Sequence, residues 1–179
     1  FADLIHSPDL YLYSPQDGRY EPAFTFVEHW SSRAADIDND GDLDVAVTEQ
    51  TGRCLRLYQN NGPGAGPLFT DITEPAGLPD LDSTFDVVFL DYDNDGLPDL
   101  LIPYSITTFT PVYSVTRKVA LLRNVGNRRF EDVTAQAGLG AAEGDFLDVI
   151  KTLDFDRDGF TDLFVARERA GQASFPFYR

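Results

Sequence analysis

With 179 residues, 42% of them hydrophobic and 13% aromatic, the chain is long enough to bury a core and too apolar to stay disordered. Its 30 acids against 14 bases give a formal charge of −16, a field that repels nucleic acid and anionic membrane surfaces and makes cations the natural partners. The single cysteine, Cys54, excludes an internal disulfide and a four-cysteine zinc site, and no run approaches the ~20 apolar residues of a membrane-spanning helix.

The chain opens on Phe1 rather than Met, which reads as a processed product or a piece of something longer. Its first segment, 1–28, carries "FADLI" and then "LYLYSPQDGRYEPAF", two short apolar runs about a Gly-containing turn. From residue 29 onward a pattern sets in. "HWSSRAA" (29–35) leads into "DIDNDGDLD" (36–44), then "LDVAVTE" (43–49), "CLRLYQN" (54–60) and "GPLFTDITEPAGL" (66–78). The same order returns as "TFDVVFL" (84–90), "DYDNDGLPD" (91–99), "LPDLLIPY" (97–104), "VALLRN" (119–124) and "NRRFEDVTAQAGL" (127–139). It begins a third time with "FLDVIKTL" (146–153), "DFDRDGFTD" (154–162), "TDLFVARE" (161–168) and "ASFPFYR" (173–179).

Short β-branched or aromatic runs separated by Gly, Pro, Asn and Asp are strand and hairpin grammar, and helical periodicity is nearly absent. The expected fold is therefore all-β. The aspartate strings begin at 36, 91 and 154, so the periods are 55 and 63 residues. Four short strands per period is the content of one antiparallel β-propeller blade, with the aspartate string as the turn between its first and second strands. On that frame "FADLI" aligns with "FTDLF" (160–164). The expected organisation is a single propeller segment: a partial blade over 1–28 (strands two to four), blades over 29–83 and 84–145, and a partial blade over 146–179 (strands one to three).

The acidity is local. Twelve of the 30 acids occupy the first, third, fifth and ninth positions of the three strings, leaving 18 acids to face 14 bases. Carboxylates crowded on a tight loop repel one another unless a cation sits among them, and the hard, oxygen-seeking Ca²⁺ suits them best. Expected ligands are the side chains of Asp36, Asp38, Asp40 and Asp44 in the first string, Asp91, Asp93, Asp95 and Asp99 in the second, and Asp154, Asp156, Asp158 and Asp162 in the third. The seventh positions, Asp42, Leu97 and Phe160, would each offer a backbone carbonyl, and Gly41, Gly96 and Gly159 stand where the chain turns sharply. Phe1 and Asp3 would be the tail of a fourth, partial site. Mg²⁺ suits the strings less well, since it demands a tighter octahedron and keeps its waters. An EF-hand requires a carboxylate at position twelve and flanking helices; position twelve is Val47, Ile102 and Val165, all in apolar β runs.

The DxDxDGxxD strings within a β repeat resemble FG-GAP/VCBS repeats, the blades of integrin-α-like propellers. The adjoining "LYQNNGPGAGPLFTDITEPAGL" and "LLRNVGNRRFEDVTAQAGL" look like repeats of secreted proteins related to cartilage acidic protein. The resemblance covers nearly the whole chain. It implies calcium that rigidifies the blades, an extracellular, cell-surface or periplasmic setting, and a protein or glycan ligand held on loops at a propeller face. Departures are Pro98 at position eight, Arg157 at position four and the truncated outer blades.

Catalysis is not expected. His6 and His29 are the only histidines, neither lies in a nucleophile motif, and the conspicuous acids are committed to cations. The expected role is a calcium-binding scaffold for adhesion or ligand binding. A structural subunit that polymerises head to tail through open blades, or a non-catalytic domain of a larger secreted enzyme, are the alternative readings. Three further stretches have plain structural readings: Cys54 as a small strand residue, "PYSITTFTPVYSVTRK" (103–118) as a lengthened hairpin rather than a sticky protrusion, and "NNGPGAG" (60–66) as a hairpin turn. The cluster of Arg117, Lys118, Arg123, Arg128 and Arg129 reads as a solvated strand edge.

Overall fold

In the computed structural model the described residues are 4–6, 9–14, 16–26, 29–49, 55–64, 66–109, 113–139, 146–169, 172–174 and 177–178. Phe1, Asp3 and Cys54 lie outside them. The described chain is all-β and contains no helix long and apolar enough to cross a membrane.

Four antiparallel sheets follow one another. The first has β1 (Leu4–His6), β2 (Asp9–Ser14) and β3 (Arg19–Thr25). The second runs β4 (His29–Ala35), β5 (Asp44–Glu49), β6 (Leu55–Asn60) and β7 (Phe69–Asp71), each strand paired with the next. The third repeats that order with β8 (Val88–Leu90), β9 (Asp99–Thr108), β10 (Ser114–Asn124) and β11 (Phe130–Asp132). In the last, β13 (Asp162–Arg169) pairs with β12 (Phe146–Leu153), β14 (Gln172–Ser174) and β15 (Phe177–Tyr178). The aspartate strings join β4 to β5, β8 to β9 and β12 to β13, where the repeat pattern puts them.

The central strands read as unbroken apolar runs because both of their faces are covered. Successive side chains of a strand point to opposite sides. In β5, Val45 and Val47 pack with Leu10, Phe26, Tyr58 and Phe69, while Ala46, between them, belongs to a cluster with Leu57, Leu100, Ile102 and Leu122. In β9 the alternation repeats: Leu100 and Ile102 face the second sheet's Ala46, Leu55 and Leu57, and Leu101 joins Val119, Leu121 and Leu163. Three apolar layers thus fill the three spaces between consecutive sheets. Each fully buried Leu or Ile in them contributes about 1.5–3 kcal/mol. A one-residue slip in β5 or β9 would exchange the two layers, so the register is strongly specified.

Some sequence expectations need correction. The third run of each full repeat is a strand for only three residues, β7 and β11, and then a turn. Asp71 accepts bonds from both the N–H and the hydroxyl of Thr73, whose Oγ1 in turn accepts the Leu57 N–H. Asp132, Thr134 and Leu121 repeat this arrangement, so side-chain bonding replaces the ladder. The run 84–90 is a strand only from Val88, with an isolated bridge between Thr84 and Tyr104. Asp86 interrupts it, accepting from Ser31 of the preceding sheet at 2.7 Å and from its own neighbour's Val87 N–H.

β9 and β10 form a lengthened hairpin, paired out to Thr108 and Ser114. At its tip Phe109 and Tyr113 are exposed, their rings 5.8 Å apart.

Candidate functional site

Each aspartate string folds by the same local bonds. The first-position carboxylate accepts the N–H groups of positions five and six: Asp36 from Asp40 (3.1 Å) and Gly41 (2.9 Å), Asp91 from Asp95 (3.1 Å) and Gly96 (3.0 Å), Asp154 from Asp158 (3.1 Å) and Gly159 (3.1 Å). The fifth-position carboxylate accepts the N–H of position seven: Asp40 from Asp42, Asp95 from Leu97, Asp158 from Phe160. Such bonds are what short acidic side chains offer a turning backbone. They use one lone pair of each oxygen and leave another directed elsewhere.

Two residues per loop are in the left-handed region. Position six is glycine, with φ of 94° at Gly41, 84° at Gly96 and 91° at Gly159. Position four is also left-handed, at Asn39 (φ 60°), Asn94 (φ 57°) and Arg157 (φ 62°). Asparagine tolerates this region and arginine does so less readily, so the substitution at Arg157 adds backbone strain to the third loop.

The ninth aspartate is buried in every copy and closes the loop. Asp44, fully buried, accepts from the N–H of Ile37 (3.0 Å) and of Asn60 (2.8 Å). Asp99, also fully buried, accepts from Tyr92 (2.9 Å) and Asn124 (2.7 Å), and Asp162 from Phe155 (2.7 Å). Burial pushes the carboxyls of Asp44 and Asp99 up to about 6, against those hydrogen bonds, which favour the anion. Asp38 is raised as well, by burial first and by repulsion from Asp40 second.

The loops gather carboxylates. One oxygen each from Asp36, Asp38 and Asp40 lie within 4.8 Å of one another; so do Asp91, Asp93 and Asp99, and Asp154, Asp156 and Asp162. The fifth position completes the triad in the first loop and the ninth completes it in the other two. Asp95 is turned instead to Arg123, 3.2 Å away.

Whether these groups suit a cation is tested by their unmet bonding. Asp38 Oδ1 and Asp93 Oδ1 are buried and accept no hydrogen bond. They are the same atom of the same loop position in two successive copies. A buried carboxylate oxygen without a donor is costly, and a cation among the three carboxylates removes that cost. The donor set is all oxygen, the preference of Ca²⁺.

The basic cluster is not simply solvated. Arg123 reaches Asp93 at 2.8 Å, Arg128 stands 3.9 Å from Asp38, and the Arg117 guanidinium lies 5.2 Å from the centre of the Phe85 ring. The reason is electrostatic: the loops are the strongest local source of negative charge, and strand ends beside them deliver arginine to it.

Three asparagines escaped the sequence reading. Asn60 and Asn124, at the ends of β6 and β10, bind the ninth aspartates, and Asn94 donates to the carbonyl of Gly159 in the next loop at 2.8 Å. The repeated "QN" and "RN" ending the third-strand runs was the available signal for the first two.

Consecutive antiparallel sheets with apolar layers between them, three of the four hinged on an acidic turn, define a blade-type β-repeat protein whose loops can hold a metal ion. Residues 36–102 match the model of the FG-GAP-like repeat. The matched span begins at the first aspartate string and ends in β9, so it contains two of the three loops. No curated protein matches the chain.

Proposed function

We propose that the protein is an extracellular scaffold of β-propeller blades in which structural Ca²⁺ occupies the aspartate loops, and that its blades present a protein or glycan ligand site without catalysis. The blades would be 29–83 and 84–145, flanked by the sheets within 1–28 and 146–179. The observation that carries the calcium reading is the recurrence, at Asp38 and Asp93, of a buried carboxylate oxygen with no donor inside a triad of carboxylates.

In this reading the first, third, fifth and ninth side chains, with the carbonyls of Asp42, Leu97 and Phe160, are the ligands. A bound Ca²⁺ supplies positive charge and fixed coordination, and no bond-making chemistry. The chain's own part is to pre-form the loop: first and fifth carboxylates hold the turn, and in the first two loops the ninth pins it to the third strand. The loops are solvent-facing, most of all 154–160. That arrangement suits sites of modest affinity, as in extracellular modules with dissociation constants of about 10⁻⁴–10⁻³ M.

Thermal melting with and without chelator tests the proposal. At a calcium concentration about 100-fold above the dissociation constant, one site adds about 2.7 kcal/mol, which for a chain of this size raises Tm by about 5–10 °C. Superimposable melting curves in calcium and in excess EGTA would rule out structural calcium.

A further inference from the structure

The loops are joined to one another by side-chain bonds that cross between sheets. Ile37, the second residue of the first loop, is fully buried, and both sides of it are fixed. Its N–H donates to Asp44 Oδ2 at 3.0 Å, and its carbonyl accepts from Asn124 Nδ2, in the next sheet, at 2.8 Å. Asn124 is fully buried, and its backbone N–H donates to Asp99 Oδ1 at 2.7 Å. The other oxygen of Asp99 accepts from Tyr92, second residue of the second loop, at 2.9 Å. An unbroken run of hydrogen bonds therefore connects the ninth aspartate of one loop to that of the next.

Asn124 also donates to the Pro98 carbonyl (3.2 Å) and accepts from Gly126 (3.0 Å), which leaves no polar group of its side chain idle. Asn60 supplies a comparison within the same molecule. It makes three corresponding bonds: its N–H to Asp44, its Nδ2 to Leu43, its Oδ1 from Gly62. The bond to Ile37 is what Asn124 adds. From the second loop the connection continues through Asn94, whose Nδ2 donates to the Gly159 carbonyl at 2.8 Å, while the Gly159 N–H is held by Asp154 at 3.1 Å.

We propose that Asn124 and Asn94 are positioning residues that couple the three loops, so that a cation held in one raises the affinity of its neighbours. The inference rests on the calcium reading above. Neither asparagine is a ligand. Each holds a peptide group that its neighbouring loop must fix before the carboxylates can converge, so ordering one loop removes part of the ordering cost of the next. By linkage the effect is reciprocal.

The test is hydrogen exchange by mass spectrometry on the full chain across a calcium titration, following peptides that contain 36–44, 91–99 and 154–162. Asp93→Asn disables the second loop and is expected to raise the calcium midpoints of the first and third by about fivefold or more. Asn94→Gly keeps the left-handed backbone, removes the amide, and is expected to raise the midpoints of 154–162 and 91–99 while moving that of 36–44 least. Added to Asp93→Asn, it should shift 154–162 no further. Asn124→Ser is expected to raise the midpoint of 36–44. Should that buried variant not fold, the exposed Asn94→Gly decides alone. Midpoints of the first and third loops that ignore Asp93→Asn, or an Asn94→Gly effect that adds to it in full, overturn the coupling. Protection insensitive to calcium in all three loops overturns the calcium reading itself, and the coupling with it.

Discussion

Freed of metal, the protein should gain stability as the pH falls from 7 to 5, the reverse of what an acid-rich surface held by ion pairs would do. Asp44 and Asp99 carry the effect. Each is fully buried, and each has its carboxyl pushed from 3.8 to about 6 by burial. A carboxyl with a raised folded-state pKa binds more protons folded than unfolded between those two values, so stability falls as pH rises through that window and is recovered on acidification. For a shift from 3.8 to about 6, one group returns about 1.3 kcal/mol between pH 7 and pH 5, and the pair about 2.5 kcal/mol. Asp38, shifted in the same direction, adds to this. Asp71 is lowered, with Thr73 and Arg56 holding its anion against burial, so its contribution is lost only below the unfolded value, outside the window. The assay is urea unfolding at pH 5, 6 and 7 on protein stripped of metal and exchanged into metal-free buffer. With a urea slope near 2–3 kcal/mol/M, the midpoint should rise by about 1 M from pH 7 to pH 5. In saturating calcium the trend should disappear or reverse, because the cation stabilises the same anions. A metal-free midpoint that is flat or falls on acidification would refute the reasoning.

Two substitutions probe the framework around the loops. Arg56→Ala leaves the carboxylate of Glu49, its side chain only 4% exposed, without its guanidinium, and should cost about 3–5 kcal/mol in urea unfolding; adding Glu49→Gln should restore most of it. Gly96→Ala meets no atom within 4 Å, so its cost is the backbone's alone at φ +84°, about 1–2 kcal/mol by the same measurement. An unchanged midpoint would show that the loop turns elsewhere.

The fold class was legible because three features repeat together: apolar runs of strand length, Gly and Asn punctuation, and an aspartate string at fixed phase. The central strands were the easiest, since a β9 covered on both faces reads as a solid apolar run. The third runs misled because Asp71 and Thr73, or Asp132 and Thr134, bond their own backbone, and nothing in "FTDIT" or "FEDVT" distinguishes that from a longer strand. At the site, the aspartates and the glycine announced themselves through spacing. The left-handed fourth position was hidden by Arg157, which breaks the asparagine pattern, and the contacts between loops span 65 residues from Asn94 to Gly159 and 87 from Ile37 to Asn124. Periodicity within a blade carries no record of contacts between blades.

The hairpin of β9 and β10 has a consequence for how such a chain can change. Asp99 and Asn124 are 25 positions apart and Asp44 and Asn60 only 16, yet the same backbone bond closes both, at 2.7 and 2.8 Å. Nine additional residues have been absorbed at the far end of the hairpin without disturbing the loop. The blade thus separates a conserved-geometry end from an end open to insertion, and a peptide epitope or reporter grafted between Phe109 and Tyr113 has a ready-made stalk to stand on.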